Sequence, residues 1–181
     1  AKKLALNIHH RIPVIFSGNN LIGNAHIFSN QINENAKNFA SYFSFPELNH
    51  HLLEGLGFPR SLRNFLFIIL ESEFDPPKIR KRILITKKIL LKKKLTFYDI
   101  KVPGPDKFSQ SLWMLAFGGF TSFYLAILNR QNPVLIPWVD FFKKDISEFP
   151  QEFNFVIFVL FVVNLWQQSI WFGMDLQINF S

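Results

Sequence analysis

The chain has 181 residues, no cysteine, 49% hydrophobic residues and a formal net charge of +7. That length suits one domain with a self-sufficient core, or a domain plus an appendage, and the lack of cysteine excludes disulfides and thiolate metal centres, as suits a reducing compartment. The excess charge is confined to residues 78–94, nine Lys and Arg with no acid; the remainder holds 11 basic against 13 acidic residues, about −2. A protein that tracks nucleic acid spreads its basic residues over a face. With Ile79, Ile83, Ile85, Ile89 and Leu90 interspersed, this segment reads as an amphipathic helix with a solvated Lys/Arg face.

The opening Lys2-Lys3-Leu4-Ala5-Leu6 has no continuous apolar signal region and reads like the tail of a helix, so the sequence looks like a fragment or a processed piece. Arg11–Ser17 is a short apolar run that suits a buried strand feeding a turn at Gly18. Leu21–Lys37 spaces its apolar residues at helical period, with Asn20 as its N-cap. Phe39–Phe45 is a second apolar run ending at Pro46, and Glu47–Gly55 a short helix stopped by Gly55 or Gly57. Phe65–Leu70 is the strongest strand candidate, six apolar residues in a row. Asp75-Pro76-Pro77 opens the basic helix, and Leu95–Val102 alternates as a strand.

Phe108–Leu128 predicts a long helix whose apolar face is Leu112, Leu115, Ala116, Tyr124, Leu125 and Leu128. Its central Gly118-Gly119 costs about 1 kcal/mol per Gly relative to Ala, which a close neighbouring backbone would explain. A short helix after Pro137 carries Asp140, Lys143 and Lys144. Strands alternating with helices predict a mainly parallel sheet in a three-layer αβα domain. From Pro150 the character changes: Phe153–Met174 has no charged residue, but Asn164, Gln167, Gln168 and Ser169 interrupt it. That tail is an extra core or interface helix, a weak membrane segment or a piece foreign to the domain.

Two segments carry chemistry. Asn33-Glu34-Asn35-Ala36-Lys37 and Pro46-Glu47-Leu48-Asn49-His50-His51 place a carboxylate and an imidazole sixteen positions apart, each beside an amide. Such a pair moves protons near neutral pH. The bland alternatives are a solvated helical Glu34 and paired solvated lysines at 143 and 144. Adjacent His50 and His51 point in different directions and have no acidic or Cys partner at ligand spacing, so no metal is expected there, and His9-His10 reads as a helix-end pair. The turn Ser17-Gly18-Asn19-Asn20 could hold an anion at a helix start, with Ser17 as a contact.

With these elements in place, residues 1–146 resemble the C-terminal half of the bifunctional phosphoglucose/phosphomannose isomerases, sugar-isomerase (SIS) proteins of archaea and bacteria. The matching pieces are Arg11-Ile-Pro-Val-Ile, Gln31-Ile-Asn-Glu-Asn-Ala-Lys37, Pro46-Glu-Leu-Asn-His50, Ile83-Leu-Ile-Thr-Lys-Lys-Ile-Leu90, Ser122-Phe-Tyr-Leu-Ala-Ile-Leu128 and Val139-Asp-Phe-Phe-Lys-Lys144. Residues 147–181 have no counterpart and form an apolar extension. The resemblance implies an SIS-type fold, a sugar-phosphate substrate and conversion of glucose 6-phosphate or mannose 6-phosphate to fructose 6-phosphate through a cis-enediol. It implies Glu34 as the base, His50 for ring opening across a homodimer interface, and Lys143 at the same site.

It also implies that no metal or redox cofactor is required, and that an N-terminal SIS half supplies the phosphate-binding turn and an arginine, leaving this part inactive alone. The location expected is cytoplasmic, without nucleic acid or membrane as partner. Three positions depart from the family pattern: His51-Leu52 where a carboxylate usually follows the histidine closely, Gly119 where an acid is common, and Val134-Leu135-Ile136 where a threonine often precedes the last helix. The missing carboxylate after His50, with the odd apolar tail, favours the alternative of a non-catalytic or decayed SIS module that binds phosphorylated sugars. A third class, a membrane-surface or nucleic-acid partner, would use the basic segment and the apolar tail.

Overall fold

The computed structural model describes residues 1–148, the Ser61 side chain excepted. The apolar tail, nearly all of the 147–181 extension, lies outside the described residues. The chain divides into two compact units, Ala1–Leu135 and Ile136–Ser181.

The first unit runs α1 (Lys2–Ile8), β1 (Ile12–Ser17), α2 (Ile22–Ala36), β2 (Ser41–Ser44), α3 (Leu48–Gly55), β3 (Phe65–Glu71), α4 (Pro77–Lys92), β4 (Phe97–Lys101) and α5 (Lys107–Leu128). All four strands are parallel, in the order β2-β1-β3-β4, with Ile15 opposite both Tyr42 and Ile68, and Ile68 opposite Tyr98. The strongest apolar runs, β1 and β3, are the two central strands, buried on both faces. Right-handed crossovers put helices on opposite faces when the direction of travel along the sheet reverses. The chain steps one way from β1 to β2, then back to β3 and β4. Accordingly Ile15, Leu66, Ile68 and Leu70 face α1, α2 and α5, while Val14, Phe16, Phe67 and Ile69 face α3 and α4. The predicted αβα layering holds.

Local departures from the sequence reading have physical causes. Asn20 caps no helix with its side chain: it lies in a 3₁₀ turn before α2, its side chain is drawn to β3 and α5, and Leu21 holds the N-cap position. Gly55 is the last residue of α3 but forms no left-handed cap, because Leu56 continues with a negative φ. The bulky face expected of α5 holds in its last turns, where Leu125 is buried and Tyr124 and Leu128 pack against the core, but Leu112, Leu115 and Ala116 are exposed. The rest of the buried stripe is Gln110, Met114, Gly118, Thr121, Ser122 and Ala126.

The reason is the closeness of α2. Three of its amide side chains reach α5: Asn24 donates to Ser111 O (2.9 Å), Gln31 to Leu115 O (3.3 Å) and Asn35 to Ser122 Oγ (3.0 Å). A Cβ on Gly118 would press on Gln31 and come within 2.9 Å of the Phe28 ring. Small residues therefore win the interface, and Phe108, Leu112, Phe120, Phe123 and Ile127 point outward. The close neighbour expected for the glycine pair is α2, and it constrains Gly118 rather than Gly119, whose Cβ would make only ordinary contact.

Helix α4 buries Ile79, Ile83, Thr86 and Leu90 and presents most of its cations to solvent, as expected, but Ile85 is exposed. Lys87 is the exception among the cations. Its ammonium, with a side chain 14% exposed, sits 2.6 Å from Glu71 Oε1 and 2.9 Å from Asp99 Oδ2, tying α4 to β3 and β4. Burial by itself pulls the Lys87 pKa down, but the two carboxylates outweigh it and hold the ammonium above its usual value. The stability gained is fully present below the unfolded lysine pKa and is lost as pH rises through the raised folded value. Lys87→Met is expected to cost about 1–3 kcal/mol near neutral pH, because two partly screened carboxylates lose their shared cation. It should also flatten the alkaline limb of a stability–pH curve measured by urea unfolding.

In the second unit, α6 (Pro137–Glu148) opens on a proline with Asp140 in its first turn, and carries exposed Trp138, Phe141, Phe142 and Ile146 beside Lys143 and Lys144.

Candidate active site

In an open parallel sheet, ligands bind beyond the carboxyl ends of the strands where the strand order reverses. Here that place lies between β1 and β3, where the Gly18–Asn20 turn meets Ser72–Asp75. It is filled by the chain's own polar groups. The Asn20 side-chain amide donates to Ser72 Oγ (2.9 Å) and Gln110 Oε1 (3.3 Å), Ser72 Oγ donates to Gln110 Oε1 (2.6 Å), and Gln110 Nε2 donates to Val102 O (2.9 Å). Asp75, 2% exposed, accepts the Asn20 backbone N–H on Oδ1 at 3.2 Å. Burial pushes the Asp75 carboxyl above the usual carboxylate range, against the pull of that amide, of the Ser72 amide and of the Lys107 and Arg80 charges. Ser17, weighed as an anion contact, is fully buried.

Glu34 lies near the end of α2, at the amino edge of the sheet. Both flanking asparagines are tied down. Asn33 clamps the chain reversal after the helix, accepting from Ala40 N (2.9 Å) and donating to Ser29 O and Ala40 O (2.9 Å each), and Asn35 holds α5. Lys37 takes a left-handed conformation (φ 52°) and donates to Glu34 O at 2.7 Å. Asn38 reaches Arg11 O at the start of β1, and Asn129 reaches Ala36 O. These amides fix the backbone on either side of an exposed Glu34 carboxyl.

His50 stands on the first turn of α3, directly after the carboxyl end of β2. It is exposed, while its neighbour Asn49 anchors α3 to α4 by donating to Thr86 Oγ1 at 3.0 Å. Glu34 and His50 thus sit at opposite edges of the sheet, separated by roughly the 22 Å rise of a 15-residue helix. One copy of the chain does not bring them together. Lys143 is an exposed residue of α6 within the second unit.

Residues 1–146 match the family model for the bacterial phospho-glucose isomerase C-terminal SIS domain. The chain belongs to this family. Bifunctional phosphoglucose/phosphomannose isomerases are among its relatives: that of Aquifex aeolicus is 28% identical over 81% of this chain and 46% of its own length, and that of Thermoplasma acidophilum 31% over 76% and 43%. This SIS domain therefore spans about half the length of the curated relatives it matches. Two solved structures from Thermus thermophilus share the fold. A hypothetical protein aligns with TM-score 0.69 at 14% identity, over 81% of this chain and 44% of its own. A glucose-6-phosphate isomerase like protein aligns at 0.57 and 20%, over 73% and 42%.

Asp75, Ser72 and Gln110 were not singled out from the sequence of this SIS domain. Asp75 read only as the lead-in to a proline-opened helix. The signal that could have exposed it is topological: a polar pair just after the second central strand of a sheet whose order reverses there.

Proposed function

We propose that this chain is the C-terminal half of a two-SIS-domain aldose–ketose isomerase that interconverts glucose 6-phosphate or mannose 6-phosphate with fructose 6-phosphate. Glu34 takes the C2 proton of the opened aldose and returns it to C1, while a second proton passes from the C2 hydroxyl to the C1 oxygen, so that the intervening cis-enediol ends as the ketone with no net gain or loss of protons. His50 of a second copy serves the ring oxygen during opening, and Lys143 attends the same site. The sugar's phosphate is held by the amino-terminal half, and the enzyme works in the cytoplasm. This chemistry needs neither metal nor redox cofactor, since a carboxylate and an imidazole bracket the pKa range required.

The observation that carries this reading is Asn33-Glu34-Asn35 in the last turn of α2, whose two amides are committed to the backbone and to α5 while the exposed carboxylate has no partner among the described residues. The exposed apolar row of α5 supports association with a second SIS half or a second copy. The test is a coupled assay of the chain joined to the amino-terminal half of a relative. Conversion of glucose 6-phosphate that survives Glu34→Gln unchanged would refute the assignment of the base. A non-catalytic sugar-phosphate module is the second reading, favoured by His51-Leu52 after His50, where the family resemblance implies a carboxylate. Binding without turnover in the joined protein selects it.

A further inference from the structure

The start of α2 has the parts of an anion site. Backbone N–H groups at a helix start attract oxyanions, and a tight turn after a central strand lets a ligand approach the backbone. Here the place is taken. The Asp75 carboxyl lies so close to Gly18 that a Cβ on that glycine would overlap it, and Oδ1 accepts the Asn20 N–H at 3.2 Å. Oδ2 is buried with no hydrogen-bond partner among the described residues, as is Ser17 Oγ in the same strand-to-helix turn. A carboxylate held for its own sake would find partners for both oxygens, because leaving a buried oxygen without a hydrogen bond is destabilising. Two cations from other elements, Lys107 on α5 and Arg80 on α4, act on the same carboxylate.

We propose that the head of α2 is a closed anion site. The Asp75 carboxylate occupies the position of a tetrahedral oxyanion of the phosphate class, and its removal opens the site to inorganic phosphate. Three features left behind are those phosphate uses: the Asn20 amide in the 3₁₀ turn that leads into α2, a glycine that permits close approach, and the positive charge of Lys107 and Arg80 that already acts on the Asp75 carboxylate. The inference concerns this half alone and stands whether or not Glu34 is the base. It assigns this half's own switch point a structural role, in which an internal carboxylate replaces the ligand.

The test uses the whole 181-residue chain with inorganic phosphate as probe, read by amide NMR shifts at Asn19, Asn20 and Leu21. Phosphate should produce no saturable shift there in the wild type. In Asp75→Ser it should do so, with an affinity at least about tenfold above any wild-type response. Equal binding by the two overturns the proposal, and so does a folded Asp75→Ser that does not respond. The wild type supplies a second measurement that needs no variant. The Asn20 amide proton must shift with the same midpoint as the Asp75 carboxyl carbon when pH is lowered, and independent titration of the two also overturns the proposal.

Discussion

Mixed dimers of Glu34→Gln and His50→Ala chains, each joined to an amino-terminal SIS half, should regain activity that neither variant has alone. Loss of a general base or acid of this kind lowers kcat by about 10²–10⁴-fold. Because α2 carries Glu34 to one edge of the sheet and α3 holds His50 at the other, a working site needs the two groups from different copies of the chain. In a two-fold dimer, one mixed pair then contains one site with both mutations and one with neither. Random re-association makes half the dimers mixed, so about a quarter of all sites are intact and about a quarter of wild-type activity returns. The measurement is the coupled assay before and after partial denaturation and refolding of the mixture. Absence of recovery, with mixed dimers confirmed by mass, would place both groups in one copy or remove one from the mechanism.

The largest expected loss of stability comes from Phe16→Ala. Phe16 is fully buried in β1, with ring centroids 5.4 Å from Phe67, 6.2 Å from Phe45 and 6.3 Å from Phe43, so it joins three strands and the loop before α3. Its truncation removes both transfer free energy and packing partners, costing about 3–5 kcal/mol. That is a large share of the roughly 5–15 kcal/mol typical of a domain. Phe108→Ala is the control: on the exposed side of α5, at 71% accessibility, it should change stability by no more than about 0.5 kcal/mol. Urea midpoints of the two variants separate a core phenylalanine from an exposed one. A small effect of Phe16→Ala would mean that the α3/α4 side of the sheet is loosely packed.

Composition alone does not distinguish these phenylalanines, but local pattern reads much of the fold. The uninterrupted apolar runs at 12–16 and 65–70 mark the two strands buried on both faces, since only a central strand needs apolar residues on each side. Proline at the first position of α4 and helical spacing through α2 place those helices to within a few residues. The buried face in the first turns of α5 was not legible in this way. Hydrophobicity ranks Leu112 above Gly118, yet the gap left by α2 admits only the glycine. Pattern reading weighs how apolar a residue is, and this interface selects for size and for amides that can bridge it.

The candidate site divides along the same line. Glu34 and His50 are visible because an amide-flanked carboxylate and imidazole form a local motif, and the family they mark is confirmed over residues 1–146. Local order in the chain thus determined the αβα class, the strands and the acid–base residue types, because each depends on neighbours within a few positions. Only the tertiary structure decided that Glu34 and His50 lie at opposite edges, that Lys87 is shared by two carboxylates and that Asp75 accepts the Asn20 amide. Those facts depend on residues 12 to 55 positions apart in sequence meeting at one point. Such meetings are set by the strand order, which no local pattern encodes.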